Sequence, residues 1–297
     1  MGKTGETNTH GSRELVTAYL CAQVDELRTR ESGARIDSPD AVHRMRVASR
    51  RLRSSLATFG PLFTGSQAQH LRDELLWLGV LLGAVRDVEV MRDHLHGTAA
   101  KLTVDVDLAQ ALACLDHELA QRHAPAHEDL VSALDGPRYG ALIAALTVFV
   151  TDPAWIAKAA KRRTLPALVG RACARVDRAA AAVEGALDVG SPELHEVRKA
   201  AKRARYAAEV AAPSAGSPAH DLARRMEELQ EVLGRYQDSV MARGLLRDLA
   251  ARMPERQAYA LGLLTGLEGA SDESVLSGYR PALAAACADK VRDWTRR

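Results

Sequence analysis

"AVHRMRVASRRLRSSLATF", residues 41–59, holds one histidine, five arginines and no acid. On a helical wheel at about 100° per residue, Arg46, Arg50 and Arg53 lie within roughly 80° of His43, whereas Met45, Ala48, Leu52, Leu56 and Phe59 gather on the opposite side. This spacing predicts a helix with one packing face and one positive face. "DSPD" at 37–40 supplies a start signal, and "GPLFTGS" at 60–66 ends the helix.

"LHEVRKAAKRARYAAE", residues 194–209, repeats the pattern. His43, Arg46, Arg50, Arg51 and Arg53 correspond to His195, Arg198, Lys202, Arg203 and Arg205 at a constant offset of 152 residues. Val197, Ala200, Ala204 and Ala208 form its apolar side, and their small side chains permit a closer helix contact. Farther on, "LGAVRD" at 82–87 matches "LGRYQD" at 233–238 at an offset of 151. Two motifs whose separation is nearly preserved imply an internal duplication of one helical unit. The join falls near residues 151–166, where prolines interrupt the pattern, so the expected organisation is a disordered segment 1–12 and two helical subdomains, 13–155 and 156–297.

Composition agrees with an all-α fold. Hydrophobic residues make up 47% of the 297 residues and charged ones 26%, which suits a globular chain; aromatics are only 4%, which favours close-packed alanine-rich helices over sheets. Helices are expected at about 67–97, 104–122, 138–150, 154–187, 192–212, 218–251, 255–268 and 272–294, after a first one at 13–32. The longest apolar runs, at 75–85 and 141–150, fall well short of the roughly 20 residues that cross a bilayer, so no membrane partner is expected. The four cysteines lack the close spacing of a metal knuckle or redox pair, and no secretory signal pattern opens the chain. A cytoplasmic location is the default expectation.

Forty Lys plus Arg against 38 Asp plus Glu leave a net charge of only +2, so any strong field requires segregation of charge within the fold. Segregation is present: no acid occurs from Ala41 to Arg72, nor from Pro153 to Val176, where Lys158, Lys161, Arg162, Arg163, Arg171 and Arg175 add six cations. A merely solvated helix face mixes both signs, because like charges one turn apart are destabilising. Three one-signed tracts point instead to a multivalent anion, and several cations on each of two helices suit a polymer better than one small metabolite.

The two segments resemble the two signature helices of the CHAD domain, the conserved histidine α-helical domain. The resemblance spans nearly the whole chain from about residue 13 and rests on the histidine, the arginine three residues later, the basic pair seven residues on, and Arg205, Tyr206 and Glu209. It implies two similar helical-bundle subdomains related by a pseudo-twofold and facing a shared basic cleft or channel that binds inorganic polyphosphate, in association with polyphosphate granules. His43, Arg46, Arg50, Arg51, Arg53, Lys158, Lys161, Arg162, His195, Arg198, Lys199, Lys202, Arg203 and Arg205 are the expected polyphosphate-binding residues. The first copy lacks the tyrosine and glutamate of the second, with Ser54 and Thr58 in their places, which makes the halves inequivalent in packing.

No catalytic residue, metal ligand or cofactor is expected: the chain has no phosphate-binding glycine loop, nucleophile elbow or histidine metal motif. Asp73, Glu74, Asp87, Glu89 and Asp238 offer oxygen ligands for magnesium, which keeps a metal-dependent polyphosphate-processing enzyme as a minor alternative; Asp87 and Asp238 are expected to pair with basic side chains or to cap neighbouring backbone. Nucleic-acid binding is the other alternative. It shares the electrostatics but usually adds exposed aromatics for stacking, and Trp77, Trp155 and Trp294 are not interleaved with the basic stripes. Weak nucleic-acid binding is expected, and separate granule-associated protein partners are compatible with a non-catalytic module.

Overall fold

In the computed structural model, residues 11–102, 106–161, 163–183 and 192–296 are described, and every regular element among them is helical. The first 10 residues of the expected disordered segment lie outside this set, whereas Ser12 is already buried at the start of α1. The order is α1 (Ser12–Arg35), α2 (Ala41–Phe59), α3 (Gln67–Ala99), α4 (Val106–Asp135), α5 (Pro137–Thr151), α6 (Thr164–Ala181), α7 (Pro192–Ala215), α8 (Ser217–Ala250), α9 (Glu255–Cys287) and α10 (Asp289–Arg292). No single helix among the described residues is long and apolar enough to cross a membrane.

The two basic segments fold as α2 and α7, and their wheels predict what is buried. Met45, Ala48, Leu52, Leu56 and Phe59 are buried on α2, and Val197, Ala204 and Ala208 on α7. Ala200 of α7 is only partly buried. Each fully buried leucine or phenylalanine contributes about 1.5–3 kcal/mol relative to exposure, so the apolar stripe fixes which way the basic stripe points.

The repeated spacing extends beyond these helices. Helix α1 begins at Ser12 and α6 at Thr164, again 152 residues apart, and Val16, Leu20 and Val24 have buried counterparts in Leu168, Ala172 and Val176. At an offset of 151, Leu71, Leu75, Leu78, Leu82 and Leu95 of α3 match Leu222, Met226, Leu229, Leu233 and Leu246 of α8, all buried. Contacts repeat as well: α1–α2, α2–α3 and α3–α4 are mirrored by α6–α7, α7–α8 and α8–α9. Helices α2 and α7 also pack on each other, as do α3 on α8 and α4 on α9. The main apolar core runs without a break from Leu15 of α1 to Val291 of α10, and a second one joins the ends of α3 and α4 to those of α8 and α9.

Three helix boundaries differ from the sequence expectation. Helix α4 continues past residue 122 to Asp135 through Pro125, whose exposed position lets water satisfy the carbonyl that proline leaves without a donor. Instead of one helix over 154–187, residues 154–156 run extended against 62–64, with Thr64 N–H donating to the Ala154 carbonyl at 2.7 Å and Ile156 N–H to that of Leu62 at 2.9 Å. Trp155 packs there on Phe63, ring centroids 4.5 Å apart, and α6 starts only at Thr164. The helices expected at 255–268 and 272–294 are a single α9 as far as Cys287. Its polar middle is held from outside: the carboxylate of Glu268 accepts from Thr98 and pairs with His94, and Asp272 pairs with Ser239 and Arg243.

Candidate functional site

Helix α2 lies between α1 and α3, and α7 between α6 and α8, so the contact of α2 with α7 brings basic side chains of both halves together. On α2, the Arg46 guanidinium lies against Gly83 of α3, where a methyl would sit 3.7 Å from Nη2, and donates to Asp87 Oδ1 at 2.7 Å. On α7, Arg198 lies against Gly234 of α8, the counterpart of Gly83, where a methyl would sit 3.1 Å from Nη2. Glycine at both positions lets each guanidinium lie close on the neighbouring helix. The next turn differs: Arg198 Nη1 donates to Gln237 Oε1 at 3.3 Å, and His195 Nδ1 is 3.1 Å from the same oxygen. Arg198 Nε is buried without a hydrogen-bond partner.

Mutual repulsion marks Arg46, Arg50, Arg198 and Lys202 as one cluster. Burial pushes the Lys202 ammonium down to about 7, and the charges of Arg198, Arg50 and Arg46 add to the shift while Asp238 opposes it. Arg198 is lowered by burial first, with Arg50 and Arg46 acting in the same direction. Asp238 is raised by burial despite the attraction of Arg198, His94 and Lys202. His43 is lowered by burial and by Arg86 and Arg50, which keeps its imidazole neutral near pH 7. Arg53, lowered by burial and by Arg50 and Arg72, extends the cluster along α3. Among the described residues, Arg50, Arg53, Arg198 and Lys202 have no carboxylate oxygen within 4.0 Å, so two nearby acids, Asp87 and Asp238, face a larger number of cations.

The remaining expected residues divide. Arg51 and Arg205 both pair with Glu209, at 3.4 and 2.9 Å, and Arg205 also with Glu227 at 2.8 Å. Both guanidinium groups stand over the Tyr206 ring, and Tyr19 of α1 donates to Glu209 at 2.8 Å. The structure therefore places these two arginines in an internal network, with much of their charge already offset. Lys199 is exposed and pairs with Glu196 at 2.7 Å. Arg203 points to the α6 side of α7. Lys161 is exposed, the side chain of Lys158 is not among those described, and Arg162 lies outside the described residues.

Sequence reasoning missed Gly83, Gly234, Gln237 and the buried pair of His94 with Glu268. The matched "LG" dipeptides were a usable signal for the glycines, because a repeated glycine inside a helix marks a close approach. It also missed the proximity of Asp37, Glu89 and His123, three potential metal ligands whose donor atoms lie within 4.8 Å of one another. Glu89 is already engaged there by Arg86 at 2.7 Å.

The family model described as the CHAD domain matches residues 18–247. The CHAD domain crystal structure from the plant Ricinus communis superposes with a TM-score of 0.67 at 27% identity, covering 92% of this chain and 91% of that one. PptA from Streptomyces chartreusis shares the fold with a TM-score of 0.76 at 24% identity, over 92% of this chain and 99% of its own. Two uncharacterized proteins of Mycobacterium tuberculosis, MT2285 and Rv2226, are each 30% identical over 249 residues, which is 82% of this chain and 47% of theirs. The chain thus spans about half the length of these curated relatives.

Proposed function

The chain belongs to the CHAD domain family, and on that premise we propose that it binds inorganic polyphosphate without cleaving it, serving to recruit or organise polyphosphate granules in the cytoplasm. The observation that carries this reading is the cluster of Arg46, Arg50, Arg198 and Lys202, drawn from both halves and undercompensated by acid. Cations that depress one another's proton affinity are relieved by an anion that reaches several at once, and a chain of phosphates presents a charge at every repeat. The subdomains 13–155 and 156–297 are read as pseudo-twofold copies whose basic helices line one shared cleft, in support of which helix starts, buried positions and helix contacts recur at offsets of 151–152. Within the expected set, Arg46, Arg50, Arg53, Arg198 and Lys202 bind phosphate directly, His43 and His195 flank them, and Arg51 and Arg205 shape the wall through Glu209. Lys158, Lys161 and Arg162 remain part of the proposed binding set.

The test is retention of long polyphosphate at physiological salt, in competition with duplex DNA at matched phosphate concentration. Polyphosphate should win, and the recovered polymer should keep its length distribution after incubation with magnesium or manganese. Equal competition would make the site a general polyanion surface, and metal-dependent shortening would make the protein an enzyme.

A further inference from the structure

The inequivalence of the halves exposes a second basic site. In the first half, Arg51 is answered by Glu209, with Tyr19 donating to the same carboxylate. The duplication predicts the residues of the mirror-image nest around Arg203. The strict offset of 152 pairs Glu209 with Ala57, one residue before Thr58, and pairs Tyr19 with Arg171. The carboxylate is thus replaced by a methyl, and the tyrosine by another cation.

The structure has a cavity of about 90 Å³ at this place, between the C-terminal end of α2, α6 and α7. Ala57, Thr58 and Pro61 line it from the α2 side, and Arg171, Arg175 and Arg203 from α6 and α7. Among the described residues none of these arginines has an ion-pair or hydrogen-bond partner, and the buried Thr58 hydroxyl lacks one too. Arg203 faces α6, whereas Arg198 and Lys202 face α8, so this cavity and the cluster described above lie on different flanks of α7.

We propose that the cavity walled by Ala57 and Thr58 and lined by Arg171, Arg175 and Arg203 binds one tetrahedral oxyanion, a free orthophosphate or the terminal phosphate of a chain, in the place that Glu209 fills in the other half. Three guanidinium groups line one pocket, those of the exposed Arg171 and Arg175 and of the half-buried Arg203, and each can donate to an oxygen of the same phosphate. One water needs about 10–15 Å³ on the same measure, so a space of about 90 Å³ admits a group of several heavy atoms such as a phosphate. This assignment stands independently of the cluster of Arg46, Arg50, Arg198 and Lys202, because none of those residues lines the cavity.

The test is the thermal midpoint of the full chain titrated with orthophosphate at constant ionic strength, against chloride. A saturable rise in Tm is expected. Arg171→Ala with Arg175→Ala should remove it. Ala57→Glu supplies the missing carboxylate, so it should raise Tm in chloride, remove the phosphate-dependent rise and leave retention of long polyphosphate intact. Arg50→Ala with Lys202→Ala should keep the rise. If Ala57→Glu does not fold, the arginine pair decides alone. A rise that survives in the Arg171/Arg175 variant, or disappears in the Arg50/Lys202 variant, overturns the site. Linear tripolyphosphate separates the sources: a rise that the Arg171/Arg175 variant removes assigns a chain end as well, and a response to orthophosphate alone assigns the free ion. The same response to cyclic trimetaphosphate, which has no terminal phosphate, overturns the assignment to a terminal or free group.

Discussion

Arg50 of α2 donates from Nε to the hydroxyl of Tyr206 on α7 at 2.9 Å, across the contact between the two halves. Tyr206 is only 2% exposed, so one rigid ring both orients Arg50 and supports Arg51 and Arg205. Tyr206→Phe keeps the ring and removes the acceptor. It should cost about 1–3 kcal/mol of stability by urea denaturation, as expected for a part-buried bond to a charged donor. Polyphosphate affinity should fall several-fold through misorientation of Arg50, although no formal charge is lost. Unchanged affinity alongside the stability loss would remove Arg50 from the phosphate contacts.

Lys202 gives binding a pH dependence. Its free-state value near 7 is set by burial and by the neighbouring arginines, and bound phosphate favours the charged form. Binding should therefore take up a proton at and above pH 7, and affinity should fall as pH rises from 7. Calorimetry in two buffers of different ionisation enthalpy measures the uptake; Lys202→Arg should abolish it while retaining affinity. Folding has the opposite trend. Because the folded value lies below the ordinary 10.5, the unfolded chain binds more protons between about 7 and 10.5. The cost of burying this charge is full below pH 7 and is relieved as pH rises through that window.

His94 and Glu268 predict a separate pH signature in stability. Glu268 is 2% exposed; burial pushes its carboxyl up, but hydrogen bonds from His94 and Thr98 outweigh this and hold it below 4.5. Its stabilisation is present above that unfolded value and lost as pH falls through the folded one. The His94 imidazole is raised above 6.5, chiefly by its bond to Glu268, so its contribution is complete below 6.5 and lost as pH rises through the folded value. Lys202 shifts stability the other way over this range in wild type and variant alike, so the margin in urea midpoint between pH 5.5 and pH 8.5, whatever its sign, should move in favour of pH 8.5 in His94→Gln. An unchanged margin in that variant would place the pH dependence elsewhere.

These groups also mark the limit of what sequence carries. The 3.6-residue stripes of α2 and α7 were legible because one helix settles its own apolar face, and the repeated spacing because two motifs recur at nearly one offset. The continuity of α9 was not: "EGASDE" at 268–273 is punctuated like a loop, and only partners 29 to 174 residues away in sequence, Ser239, Arg243, His94 and Thr98, hold Glu268 and Asp272 buried within the helix. The wheel likewise put Arg51 and Arg203 at equivalent angles, yet Glu209 answers the first and a cavity faces the second. Charge segregation is written in the chain, whereas the pairing of individual charges is tertiary.

The cluster itself is tested by matched reversals. Arg50→Glu with Lys202→Glu places two negative charges among Arg46, Arg53 and Arg198, where polyphosphate would otherwise lie. Arg122 and Arg256 are suitable controls, since both are exposed and pair on or near α4, with Glu118 and Asp107. Arg13 is unsuitable, because it donates to the Ile156 carbonyl at 2.9 Å and its loss would disturb the α1 packing. Wild-type affinity should fall steeply with salt, since a polyphosphate chain, like nucleic acid, releases condensed counterions from each neutralised phosphate. The Arg50/Lys202 reversal should lower affinity by at least roughly tenfold, about 1.4 kcal/mol, and flatten the salt slope, because fewer phosphates are then engaged. The Arg122/Arg256 reversal has the same formal charge change and should do much less. Equal losses in the two variants would assign retention to diffuse net charge, and a steep slope surviving the Arg50/Lys202 reversal would move the site to other cations on the surface.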